Sequence, residues 1–195
     1  MKDFEDDFII IKDILSGNVD RFSELVERYK GHVASVVTGR VPFDAVEEVC
    51  HNIFLRTFKS LSNYRVKTHF SHWLSRIAVR GCCDFWRAEK RRHEIPVSTL
   101  NDEQADFLDV VGSRTSRDNF TRQRAVEDSR ELLKACMQTL TPEDRILIEL
   151  VYWEGWKLKD AAVSFGWGVP KTKVRAMRAK QKLRKQIEKM IEDEG

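Results

Sequence analysis

Glycine is scarce in this chain, at 9 of 195 residues, and proline scarcer still, at 4. Neither clusters, so there is no glycine-rich loop to cradle phosphate and no low-complexity tract. No apolar run is long enough to cross a bilayer as a helix. The opening residues, MKDFEDDF, are acidic where a secretory signal would be basic and then apolar, so a cytoplasmic protein without membrane insertion is expected. Cysteine is limited to Cys50, Cys82, Cys83 and Cys136, with no C-x-x-C pair. Adjacent Cys82 and Cys83 are badly placed to bridge each other or share a tetrahedral ion, and Cys50 with His51 adds no zinc spacing. Reduced, mostly buried thiols and no metal are the expectation. The 5 histidines are scattered and no nucleophile elbow appears, so neither catalysis nor a cofactor is indicated. Strand-like alternation of any length is also missing.

What the chain does hold is apolar mass and segregated charge. Apolar residues make up 42% of it, with 5 Trp and 11 Phe, enough to fill a core in each of two small domains. The net charge of +3 conceals acid gathered near the N-terminus and in the middle, and base gathered in two patches.

The stronger patch is the stretch from Trp156 to Lys185, read as two short helices around a glycine-bearing turn. From about Val169, residues Thr172, Ala176, Ala179, Leu183 and Ile187 fall on one arc, the buried stripe. Lys173, Val174, Met177, Arg178 and Gln181 fall opposite, with Lys171, Arg175 and Lys182 on one flank and Lys180 and Arg184 on the other. Between Gly155 and Gln186 there are 10 Lys or Arg against one acid, Asp160. A helix lying in a DNA groove needs this division: a mixed outer face for base edges and cations on both flanks for phosphates. Gly166 and Gly168 allow a tight reversal, Pro170 suits a first helical turn, and Ala161 and Ala162 allow close helix approach. The pattern predicts a helix-turn-helix. A charged helix on a bundle surface is the plainer alternative.

Upstream, the periodicity predicts helices from about Phe4 to Leu15 and from about Asp20 to Thr38, the second with Phe22, Leu25, Val26, Tyr29, Val33 and Val36 inward. Asp44 and Glu47 suggest an acidic capping box opening a helix to about Leu61, with Val46, Val49, Cys50, Ile53, Phe54, Thr57 and Phe58 inward. After a loop from Ser62 to Thr68, a helix from about Phe70 to beyond Arg87 has Trp73, Leu74, Ile77, Ala78 and Phe85 as its core side. Glu94 to Gly112 carries five acids and no base and reads as a tether. Helix resumes near Phe120 and again over Arg130 to Leu140. Thr141 followed by Pro142, Glu143 and Asp144 then caps another helix, to about Trp153. The fold class is therefore all-α: an N-terminal helical bundle over 1–92, a flexible acidic linker over 93–125, and a C-terminal helix-turn-helix domain over 126–195.

The long fourth helix ends in RGCCDFWRAEKRR. There Arg80, Arg87, Lys90, Arg91 and Arg92 accompany Trp73, Phe85, Trp86 and the loop residue Tyr64. Cations interleaved with aromatics suit single-stranded DNA, whose bases stack on aromatic faces while the backbone follows a positive track. The spacing of Trp73 and Phe85 assigns them to the core, so the exposed cations lead the list, followed by Tyr64 and Trp86.

Three segments in order carry a family resemblance. DAVEEVCHNIFLRTF resembles the acid-rich second-region helix of extracytoplasmic-function sigma factors, of the sigma-70 family. FSHWLSRIAVRGCCDFWRAEKRR resembles that family's W-L-x-x-I-A-x-N-x-x-x-D-x-x-R segment, matching at Trp73, Leu74, Ile77, Ala78, Asp84 and Arg87. LTPEDRILIELVYWEGWKLKDAAVSFGWGVPKTKVRAMRAKQKLRK resembles its fourth region, matching at Leu140, Pro142, Arg145, Gly155, Ala162, Gly166, Arg175, Arg178, Ala179 and Leu183. The resemblance spans nearly all of the chain except the tether.

It implies a promoter-specificity subunit of RNA polymerase that catalyses no bond change. Glu47, Glu48, His51 and Asn52 would dock on the coiled coil of the polymerase's largest subunit, and the C-terminal domain on its flap. Asn63, Tyr64, Arg80, Asp84, Trp86, Arg87, Lys90 and Arg91 would capture the melted minus-ten element as single-stranded DNA. Lys173, Val174, Met177 and Arg178 would read the duplex minus-thirty-five element, with Lys171 and Arg175 on phosphates. The tether would follow the polymerase's template and RNA path, and an anti-sigma protein would mask the polymerase-binding surface. The chain departs from the family pattern in five places. His51 and Asn52 stand where Gln and Glu are usual, Arg80 for Asn, Thr172 for a buried valine, and Gly168 for a capping serine, a change that weakens the cap by up to about 1 kcal/mol. A stand-alone helix-turn-helix regulator is the competing reading; it would bind intact duplex tightly without polymerase.

Overall fold

In a computed structural model, residues 2–65, 69–94 and 133–193 are described, with side chains over 6–65, 69–92 and 133–190. The chain forms two compact units, divided between Phe107 and Leu108. Most of the expected linker over 93–125, the resumption near Phe120 and the start of the helix expected from Arg130 lie outside the described residues. Among the described residues every element is helical, apart from an isolated bridge between Thr38 and Val41.

The first unit contains α1 (Lys2–Leu15), α2 (Phe22–Val37), α3 (Val46–Ser60) and α4 (Phe70–Glu94). Helices α2, α3 and α4 pack on one another, and α1 packs on α2. Their shared core is built from Leu25, Val33, Val37, Val49, Ile53, Leu74, Ala78, Val79, Cys82 and Cys83, all buried. The core stripe of α4 is rotated from the expected one. Val79, Cys82 and Cys83 are buried, while Trp73, Ile77 and Phe85 are only half-buried. At Gly81 the missing side chain lets α4 lie close against Ile53, and Cys82 and Cys83, which follow it, are buried in the same packing. On α2, Val37 rather than Val36 is buried, and on α3 Phe58 stays 40% exposed, its ring edge-on to Phe22 at 5.0 Å.

The expected Asp44 capping box does not form. Phe43–Ala45 makes a 3-10 turn that places Asp44 inside the turn, and Ala45 at the N-cap of α3 supplies no side-chain hydrogen bond. Glu47 and Glu48 in the first turn still complement the positive end of the helix dipole. A buried carboxylate ties α1 to α2: Asp7 accepts from Arg28 at 2.5 Å and from the hydroxyl of Tyr29.

The second unit holds a helical segment, α5 (133–138), then α6 (Pro142–Ile148), α7 (Leu158–Phe165) and α8 (Val169–Asp193). Thr141 caps α6 as its sequence predicts, its hydroxyl accepting from the Asp144 amide, with Pro142 in the first turn. The helix expected to run to Trp153 changes to a π-helical turn over Glu149–Trp153. Cys136, Met137, Leu140, Ile148, Ala179 and Leu183 form one core cluster, with Leu133, Ile187 and Met190 packed against it.

Candidate nucleic-acid interface

Helix α7 ends at Gly166, whose left-handed φ of 64° is open to glycine at no steric cost. The amide of Trp167 then reaches back to the carbonyl of Ala162 at 2.9 Å, closing a Schellman-type cap, and the chain re-enters helix at Val169. Gly166 alone makes this reversal, because Gly168 is not among the glycines with positive φ. Ala161 and Ala162 are fully buried and seat α7 behind α8.

On α8 the buried stripe falls where the spacing places it: Thr172, Ala176, Ala179 and Leu183 are 0 to 8% exposed, and Ile187 packs on the core cluster. The buried Thr172 hydroxyl, standing where the family usually has valine, donates to the Gly168 carbonyl at 3.1 Å. A polar group that would otherwise be costly to bury is thereby satisfied. Opposite the stripe, Lys173, Val174, Met177 and Arg178 face solvent, with Lys171 beside them. Val174 and Met177, at 41% and 52% exposed, give the cationic face two apolar contacts suited to base edges or thymine methyl groups. Lys171, Val174, Arg175 and Arg178 line a shallow hollow with Asp144 and Pro170.

Three flank cations hydrogen-bond within the chain. Arg175, expected on phosphates, turns toward α6, where it donates from Nε to Asp144 at 2.6 Å and from Nη1 to Glu143 at 3.0 Å. Burial works against its charge, but these carboxylates outweigh that effect and hold its pKa above the ordinary arginine value. Lys182 donates to the Thr139 carbonyl, and Arg184 pairs with Glu188 one turn along at 2.7 Å. Trp167, which no periodicity singles out, stacks on Phe165 at 4.5 Å and lies beneath Lys171 and Arg175.

In the first unit, Arg80, Lys90, Arg91 and Arg92 are exposed along α4, and Asn63 is exposed at the end of a 3-10 turn. Other expected DNA contacts have structural work. Asp84 accepts from Arg56 at 2.5 Å and from Arg87 at 3.1 Å, so it binds α3 to α4 and orients two cations. Trp86 donates from its indole nitrogen to the Arg40 carbonyl at 2.7 Å, fixing the α2–α3 loop against α4. Tyr64 is half-buried, its ring 5.4 Å from Phe70 and 5.3 Å from Trp73. Burial first, and the charge of Asp7 second, push its phenol pKa up.

Glu47, Glu48, His51 and Asn52 lie together on the solvent face of α3. Leu55, 45% exposed, extends that face four residues after His51, and Phe43, 68% exposed, lies in the 3-10 turn before α3. Neither follows from an inward apolar count; for Leu55 the signal is an apolar residue in helical register with Glu47 and His51. Among the described residues no cluster of His, Cys, Asp or Glu could hold a metal ion, and no helix is long and apolar enough to cross a membrane.

Comparison with known proteins places two sigma-70 modules on the two units. Residues 25–92 match Sigma-70 region 2, and residues 130–183 match Sigma-70, region 4. The chain is 25% identical over 185 residues to the ECF RNA polymerase sigma-E factor of Escherichia coli strain K12, covering 95% of this chain and 96% of that protein. It is 28% identical over 188 residues to the protein of that name from Haemophilus influenzae, covering 95% and 97%. Its fold is similar to that of the sigma factor RpoE solved with the anti-sigma factor NepR from Bartonella quintana. That match has a TM-score of 0.56 at 16% identity, over 86% of this chain and 96% of the other. It is also similar to CnrH solved with the cytosolic domain of CnrY, with a TM-score of 0.50 at 20% identity, over 92% and 96%.

Proposed function

This chain belongs to the sigma-70 family and functions as an RNA polymerase sigma factor of the extracytoplasmic-function type, and on that premise we propose how its residues divide the work. Residues 1–92 bind core polymerase and the melted minus-ten strand, residues 126–195 read the duplex minus-thirty-five element, and the acidic segment between joins them. The observation that carries this reading is the two-sided character of α8. Its stripe from Thr172 to Leu183 is buried, and Lys173, Val174, Met177 and Arg178 are left outward on a helix backed by α7.

A helix held in that way can enter a major groove, where Arg178 and Lys173 donate to purine acceptors and Val174 and Met177 contact apolar edges. Lys171 approaches a phosphate wall. In the first unit, Arg80, Lys90 and Arg91 track the backbone of the opened strand, and Asp84 acts by holding Arg56 and Arg87. Arg80, in place of the family's usual Asn, supplies charge for the backbone. Glu47, Glu48, His51 and Asn52 form the docking face for the coiled coil of the largest polymerase subunit, and the second unit meets the flap. An anti-sigma protein covering the docking face would keep the factor idle; a sigma factor of similar fold has been solved in complex with an anti-sigma factor.

A gel shift on promoter duplex, with and without core enzyme, tests this division. Specific binding should require the core enzyme. Tight binding of intact duplex by the chain alone would instead support a stand-alone regulator.

A further inference from the structure

Arg175 lies on α8 beside the outward residues, yet its guanidinium makes three hydrogen bonds away from them. Besides the bonds to Asp144 and Glu143, Nη2 donates to the Thr141 hydroxyl at 3.3 Å. Its Cζ sits 4.2 Å from the centroid of the Trp167 ring, which in turn stacks on Phe165. One side chain therefore joins the capped start of α6, the turn after α7 and the middle of α8. The side chains of Glu143 and Asp144 are 21% and 20% exposed, so this is a partly desolvated pairing in which a planar fork outperforms a point charge.

We infer that Arg175 is a positioning residue for DNA recognition. It fixes the rotation of α8 about its own axis so that Lys173, Val174, Met177 and Arg178 meet base edges, and it does not itself contact phosphate. Swinging the guanidinium to the DNA would bring two carboxylates up to a polyanion without the cation they share. The inference rests on α8 being the recognition helix.

The test uses the full chain with core polymerase, measuring affinity for a promoter duplex and for the same duplex with its upstream element substituted. Unfolding scales both affinities alike, so their ratio is insensitive to a loss of folded protein. Arg175→Gln, Arg175→Lys and the double variant Glu143→Gln with Asp144→Asn should each lower the ratio by roughly tenfold and leave the salt dependence of binding unchanged. If Arg175 were a phosphate contact, Arg175→Lys would keep the wild-type ratio, and neutralising the carboxylates would tighten binding to both duplexes. Either result overturns the inference alone. A wild-type ratio near one would overturn the reading of α8 itself, and the inference with it.

Discussion

A Cβ added to Gly81 would stand 2.8 Å from Cγ1 of Ile53 and 3.2 Å from its Cδ1, so α3 and α4 meet closely where α4 has no side chain. Ile53 is fully buried and branched at Cβ, and cannot retreat. Gly81→Val should therefore destabilise the first unit by about 2 kcal/mol through overpacking. Gly81→Ala should cost less, because alanine recovers about 1 kcal/mol of helix propensity. Urea unfolding of the two variants checks the order; a Gly81→Val protein as stable as wild type would contradict the packing.

Thr141 accepts from the Asp144 amide and also receives Arg175. Thr141→Ala should cost the second unit about 1 kcal/mol or slightly more, and Thr141→Ser should recover most of it. Thermal unfolding followed by far-UV circular dichroism reads both.

On α8, Arg178→Ala should lower discrimination at one promoter position by about 1 to 3 kcal/mol, while Lys171→Ala should weaken binding evenly across sequences and reduce the salt slope by about one. Affinities over a salt series distinguish the two. Equal loss of selectivity in both variants would contradict their assigned roles.

Burial holds the thiols of Cys50 and Cys136 above their ordinary pKa. Each is neutral in the folded protein at pH values where a thiol of the unfolded chain already ionises. That preference contributes nothing against folding below the unfolded thiol pKa, and folded stability declines as pH rises from there toward the raised value. Alkylation at mildly alkaline pH should be slower for both cysteines in the native protein than in the urea-unfolded chain, with Cys136, which is fully buried, the slower.

The helical architecture and the inner face of α8 were legible in sequence because spacing alone determines which side of a helix is apolar. Thr172, Ala176, Ala179 and Leu183 needed no knowledge of their partners. What escaped depended on contacts between elements distant in the chain. Nothing local shows that Arg175 faces Glu143 and Asp144, about thirty positions earlier, or that Asp84 lies between Arg56 and Arg87. The bond from Trp86 to the Arg40 carbonyl is equally invisible, because a hydrogen bond to a backbone carbonyl leaves no trace in residue type. The capping box at Asp44 failed for a local reason: a 3-10 turn competed for the same residues.

The docking face proposed on α3 carries its own expectation. Glu47→Lys combined with Glu48→Lys reverses exposed charge without touching the core, and should weaken core polymerase binding by about tenfold or more, at a cost of about 1 to 2 kcal/mol in stability where the acids no longer complement the start of α3. Coelution with core enzyme on size exclusion checks it; undiminished binding would place the docking face elsewhere.

The central claim is that this chain brings RNA polymerase to promoters. Run-off transcription with purified core enzyme, the full chain and a library of genomic fragments tests it most directly. Discrete transcripts that appear only when the chain is present are the predicted result. Failure to support initiation from any fragment, with core enzyme active alongside another sigma factor, would contradict it.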